Sequence, residues 1–280
     1  MRNRTLVACL VSLLQGCATT NSAISERFGD FGWSQVHAAA PGTAYRNLFE
    51  PLPLGLSSPG CEVFSSLVGG PDDVPILVMV HGIGGDGAEW ENSLSLLLRA
   101  EPRATFMFRW VSMGSRDAMV SRLAMGVTRL SHCTHHPILI LAHSAGGVLA
   151  SYAAGLIAAE SEVKLVTVAS PLAGTLARRP AETGEEQLYF LFDLGSRITT
   201  YPPAAKSVQV FHLATQYPAD HVMAPGQDGT APNDPQVGVP GATHLTLPAD
   251  LSHVGALSYV ARRIAREHWL GWLATPPSAE

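Results

Sequence analysis

Short apolar runs, four to six residues long, recur along the chain between prolines, glycines and charged residues. Ile76-Leu77-Val78-Met79-Val80 is the clearest, with Pro75 before it and Gly82 just beyond. Its length and β-branched residues predict a strand buried on both faces, because a strand with one wet face would alternate. Runs at 105–110, 138–141, 163–168 and 208–213 read the same way. Between them, 91–99, 116–130 and 146–159 carry apolar residues at helical spacing. A last amphipathic stretch places Val254, Leu257, Val260 and Ile264 on one face. Strand and helix in alternation predict an α/β fold with a mostly parallel sheet and helices on both faces. One sheet of this size holds a single core, so one domain is expected. No internal repeat interrupts the pattern.

Before Pro75 the pattern changes. Arg2 and Arg4 precede an apolar stretch, Thr5 to Leu14, too short to span a bilayer, which reads as an export signal. It ends in Leu14-Gln15-Gly16-Cys17, which resembles the bacterial lipoprotein box. The resemblance implies a signal peptide over 1–16, cleavage before Cys17 and a diacylglycerol on its thiol. An ordinary cut near Ala18 and an uncleaved anchor are the alternatives. Ala18 is not the aspartate that retains many lipoproteins at the inner membrane, so a lipid-anchored place in the bacterial envelope, on the outer membrane, is expected. Pro51-Leu52-Pro53-Leu54-Gly55 and Ser57-Ser58-Pro59-Gly60 favour extended chain and turns. Residues 17–60 therefore read as a tether with an irregular lead-in, and 61–280 as the folded domain.

Composition narrows the function. Hydrophobic residues make up 46% of the 280 and charged residues 15%, which describes a chain that buries a core. No apolar run reaches the ~20 residues of a spanning helix. The formal charge is −5, falling to −7 if Arg2 and Arg4 leave with the signal. Only Lys164 and Lys206 are lysines. A basic groove for nucleic acid is therefore not expected. Cys61 and Cys133 are the other two cysteines of a chain cut before Cys17. Export permits a disulfide between them, and two buried thiols are the equal alternative.

Directly after the run at 138–141 comes Ala142-His143-Ser144-Ala145-Gly146-Gly147, leading into a helical stretch. A serine between small residues, in a strand-turn-helix setting, is the pattern of a nucleophile elbow. The alternative is that Ser144 caps a helix. After the run at 76–80, His81-Gly82-Ile83-Gly84-Gly85 frees the backbone to present amides. The backbone N–H groups of Ile83 and Ala145 are the expected oxyanion donors, each worth ~3–4 kcal/mol to a transition state. The loop lacks the lysine and spacing of a phosphate loop. His81 reads as a structural hydrogen-bonder.

Together these two segments resemble the α/β-hydrolase superfamily, and within it small bacterial lipases and esterases, which share the alanine before the elbow. The similarity spans about residues 74–268 and is strongest at the motifs. It implies a serine hydrolase cleaving carboxylic esters through an acyl-enzyme, with no cofactor. Acyl transfer, thioester or peptide hydrolysis on the same triad remain open, as does a non-catalytic lipoprotein of this fold. The superfamily orders its triad serine, acid, histidine. His253, in Leu251-Ser252-His253-Val254-Gly255, stands where the base belongs, with His244 its rival. Asp220, in Ala219-Asp220-His221-Val222, is the expected acid, and Asp228 the runner-up. Ser170-Pro171-Leu172 is similar to a lipase segment that usually has histidine after the proline. His132, His135 and His136 flank Cys133, but they precede the 138–141 strand, on the edge away from the catalytic side, and no metal is expected there. Residues 172–205, with Leu188-Tyr189-Phe190-Leu191-Phe192, form either a cap over the site or ordinary core. Acidic charge, apolar character and a membrane tether favour an uncharged or lipid-like ester as partner.

Overall fold

The computed structural model describes residues 33–36, 49–51, 61, 68, 75–82, 88–100, 104–110, 116–172, 200–215 and 238–266. Eight strands form one sheet among them: β1 (Trp33–Val36), β2 (Phe49–Pro51), β3 (Ile76–Val80), β4 (Thr105–Phe108), β5 (Ile138–His143), β6 (Val163–Val168), β7 (Val208–Ala214) and β8 (Thr243–Thr246). Their spatial order is β2-β1-β4-β3-β5-β6-β7-β8. The six from β4 to β8 run parallel, while β1 pairs antiparallel with both β2 and β4.

Burial on both faces explains the unbroken apolar runs. Ile76, Val78 and Val80 point into one layer, against Leu123 and Val127 of α2 (Arg116–Thr134) and Val148 and Leu149 of α3 (Ala145–Ala153). Leu77 and Met79 point into the other, with Leu94 and Leu97 of α1 (Glu91–Ala100) and Leu257, Val260 and Ile264 of α4 (Gly255–Arg266). Burying an aliphatic side chain of this kind contributes about 1.5–3 kcal/mol. The two layers thus hold the strands from both sides.

Differences from the sequence reading have local causes. The stretch read as an irregular lead-in supplies β1 and β2. Trp33 of β1 packs tilted against Phe108, ring centres 5.5 Å apart, and its indole lies over Gly126 of α2, where any Cβ would collide with it. β4 stops at Phe108, not at Trp110, because the Trp110 amide leaves the ladder and donates to the His81 side chain. The helix expected over 146–159 ends at Ala153, where Gly155 runs against Pro202 and Pro203. Val254 lies outside α4 and is 50% exposed, so it does not belong to the buried face with Leu257. Cys61 and Cys133 are joined in a disulfide, with Cα atoms 4.8 Å apart.

The order reverses at β3. The chain steps from β3 out to β4, then crosses back to β5 on the other side. In such sheets the crevice at the carboxyl ends of the diverging strands is where ligands bind. Gly82 and Ser144 stand at those two ends.

Candidate active site

Ser144 joins β5 to α3 with φ 53° and ψ −129°, a conformation that costs a non-glycine residue about 1–3 kcal/mol. The neighbours hold it there. The Ser144 amide donates to the Val168 carbonyl (3.0 Å), and the Gly147 amide donates to the Ser144 carbonyl (2.9 Å). The small residues of the motif are required by close approach. A Cβ on Gly146 would collide with the His81 carbonyl, and one on Gly147 with the Ser170 hydroxyl. Ala142 is fully buried between Val80 and Thr167 of the adjoining strands. Ser144 itself is partly exposed while residues 141–143 and 145–150 are buried. Its side chain makes no capping hydrogen bond, which removes the helix-cap reading.

Facing Ser144 is the turn after β3. A Cβ on Gly82 would lie 3.2 Å from the Ser144 Cβ and 3.6 Å from its Oγ. That turn is tightly held. The His81 Nε2 accepts the Trp110 amide (3.0 Å), so the proton sits on Nδ1, which donates to the Gly82 carbonyl (2.7 Å). The Trp110 indole N–H donates to the His81 carbonyl (2.8 Å), and the two rings stack nearly parallel at 5.3 Å. His81 is therefore a structural hydrogen-bonder. Ala145 is the first residue of α3, at its amino end, while Ile83 falls outside the described residues.

His253 stands just before α4, partly exposed. Its ring lies 4.6 Å from that of His143, and the His143 Nε2–H donates to the His253 carbonyl (3.3 Å). The residue preceding Ser144 thus contacts the histidine at the head of the last helix, which brings the two candidates to one end of the sheet. His244 is placed elsewhere. It sits within β8, in register with His212 of β7, Thr167 of β6 and Ala142 of β5. Three strand spacings put its backbone about 14 Å from that of Ala142.

No protein-family model matches the chain, and no curated protein sequence matches it. Solved structures do resemble it. The mature form of Bacillus licheniformis lipase BlEst2 aligns over 68% of this chain and 88% of its own, at 17% identity and a TM-score of 0.48. Its propeptide form aligns over 75% of this chain and 52% of its own, at 15% identity and a TM-score of 0.51. Aspergillus fumigatus lipase B aligns over 83% of this chain and 62% of its own, at 11% identity and a TM-score of 0.49. The fold is that of the α/β-hydrolases.

Both acid candidates of this α/β-hydrolase fold, Asp220 and Asp228, lie outside the described residues. The chain leaves β7 at Thr215, and its described part resumes at Gly238. It is pinned there: the Val239 amide donates to the buried His212 Nε2 (3.1 Å), and the His212 Nδ1–H then donates to Thr167 Oγ1 (2.8 Å). Burial, with the nearby His244 adding to it, pushes the His212 pKa down to about 3.

The remaining sequence candidates are placed as follows. His132 and His135 reach Glu160 (2.8 and 3.7 Å) just before β5, at the sheet's amino edge. Leu172 is buried, and its carbonyl accepts the Tyr201 hydroxyl (2.8 Å). Leu172 and Tyr201, both within the expected cap segment 172–205, therefore meet, while 173–199 and Cys17 fall outside the described residues. Sequence reading missed Trp110 and Trp90, whose ring packs edge-on to His143 at 6.4 Å. Both are large apolar residues, and nothing in their spacing distinguishes them from core.

Proposed function

We propose that the chain is a serine hydrolase of carboxylic esters, working through Ser144, His253 and Asp220. The observation that carries this is the strained, uncapped and partly exposed Ser144 at the carboxyl end of β5. Strain of that kind is retained where the fold holds a group out for chemistry. In this reading His253 takes the hydroxyl proton as Ser144 Oγ attacks the ester carbonyl. The amides of Ala145 and Ile83 bind the oxyanion. As the tetrahedral adduct collapses, the ester C–O bond breaks and His253 returns the proton to the leaving alcohol. Water then repeats the cycle on the acyl-enzyme. Asp220 fixes the imidazole tautomer and stabilises the imidazolium.

The substrate in this reading is an uncharged or lipid-like ester, and the likeness to a lipase fold points the same way. The mature chain is lipid-anchored through Cys17 in the cell envelope. The Cys61–Cys133 disulfide supports export, because such bonds persist in oxidising compartments.

A fluorophosphonate probe tests the nucleophile. It should label the protein at Ser144, and Ser144→Ala should abolish both labelling and p-nitrophenyl ester turnover while leaving the circular dichroism unchanged. Labelling or turnover that survives in Ser144→Ala overturns the reading. For the acid, Asp220→Asn should cut kcat by about 10⁴-fold, and Asp228→Asn by far less. The reverse result moves the acid to Asp228.

A further inference from the structure

Ala88–Trp90 forms a short 3-10 turn ahead of α1. From it, Glu89 reaches back, and the Gly82 amide donates to Glu89 Oε1 at 2.7 Å. That contact, with those made by His81 and Trp110, completes a frame around one residue. The Gly82 N–H is held by Glu89 and the Gly82 carbonyl by His81 Nδ1. The preceding His81 carbonyl is held by the Trp110 indole. A glycine's φ and ψ are otherwise its softest freedoms. Here both flanking peptide groups are tied, one on each side of the Cα that approaches Ser144.

We propose that Glu89 is a positioning residue for the oxyanion site, acting through Gly82. The inference rests on the ester-hydrolase reading above. A peptide group is planar, so fixing a carbonyl fixes the direction of the N–H that follows it. His81 fixes the Gly82 carbonyl, but only if the residue cannot rotate about its other side. Glu89 supplies that second restraint together with the Trp110 indole, the two holding opposite sides of the His81–Gly82 peptide group. Glu89 also engages the Gly82 N–H itself, leaving the donation to substrate to the next amide and to Ala145. The same turn places Trp90, fully buried, against His143, whose Nε2–H holds the carbonyl of His253. One turn therefore braces both the oxyanion loop and the segment that carries the base.

Two variants separate this role from simple stability. Glu89→Ala removes the acceptor, while Glu89→Gln keeps an oxygen that can accept the Gly82 amide. In Glu89→Ala, kcat for p-nitrophenyl esters should fall about 10- to 100-fold, as for a misplaced catalytic group. KM should change little, and thermal melting should confirm folding. Glu89→Gln should restore kcat to within a few-fold. Hydrogen exchange at the Gly82 amide, followed by NMR on the full chain, reads the contact without any substrate. Exchange should be slow in the wild type and Glu89→Gln and at least ten-fold faster in Glu89→Ala. Equal exchange in all three, unchanged kcat in Glu89→Ala, or a Gln variant that fails to rescue would each overturn the proposal. A wild type that shows the exchange pattern but no ester turnover would instead sink the ester-hydrolase reading.

Discussion

At the scale of single residues, the histidines divide by what their ring nitrogens do. His81 and His212 each accept a backbone amide at Nε2 and donate from Nδ1, so each is useful only when neutral. For His212 this has a pH consequence. Its pKa is lowered from 6.5 to about 3 in the folded chain, chiefly by burial. A depressed histidine stabilises the fold fully above pH 6.5, and the contribution is lost as pH falls from there toward 3. At pH 4.5 the loss reaches about 3 kcal/mol. His212→Asn is neutral at every pH and lacks this loss. Chemical denaturation at pH 7.5 and 4.5 should therefore show the wild-type advantage over His212→Asn shrinking by about 3 kcal/mol. A constant difference would mean that His212 is not held neutral by its surroundings. The sequence singles out Ser144 because small neighbours at fixed spacing are a local signal. His212 and Glu89 carry none, since their partners, the Val239 amide and Thr167 Oγ1 for one and the Gly82 amide for the other, follow no recurrent spacing.

At the scale of elements, the legible strands were those buried on both faces. β3 and most of β5 are continuous apolar runs because helices cover both sides, while β6 and β7 are mainly apolar and admit polar residues such as Lys164 and the exposed Gln209 near their amino ends. β1, β2 and β8 lie toward or at the sheet's edges, span three or four residues, and mix Trp33 with Ser34 or Leu245 with Thr246. So short a segment offers too few residues for either period to show. The elbow depends on how closely β3 and α3 approach, and this predicts contrasting glycine substitutions. Gly146→Ala drives a methyl against the His81 carbonyl, with the Val80 carbonyl 2.9 Å away, and both are backbone that cannot swing aside. It should destabilise by about 1–3 kcal/mol and reduce kcat by about 100-fold, because the turn at Gly82 must retreat from Ser144. Gly241 sits at φ 79°, and a Cβ there would meet nothing within 4 Å among the described residues. Gly241→Ala should cost about 1 kcal/mol of backbone strain and leave kcat unchanged. Thermal melts with ester kinetics on both variants check the pair, and equal kinetic effects would refute the close-approach account.

For the whole molecule, the proposed site and the disulfide lie at opposite ends of the sheet. Ser144 and Gly82 stand at the carboxyl ends of β5 and β3, whereas Cys133 closes α2 just before β5 begins. Its disulfide to Cys61 spans 72 residues of sequence and fastens Cys61 to the end of α2, at the amino edge of the sheet. The sequence left this bond undecided, since pairing is set by a distance that only the fold supplies. Closing a loop of that length removes unfolded-chain entropy equivalent to roughly 4 kcal/mol, and native bridges typically contribute about 2–4. None of that restraint reaches the Ser144 end of the sheet directly. The double variant Cys61→Ser, Cys133→Ser should therefore lose about 2–4 kcal/mol of unfolding free energy, which for a chain of this size lowers the melting temperature by about 4–15 °C. Its kcat at a temperature well below melting should match the wild type. Reduction of the wild type with dithiothreitol should reproduce the loss of stability and add nothing to the double variant. If kcat fell together with stability, the two ends of the sheet would be coupled, and the bridge would help to shape the site rather than only secure the fold around it.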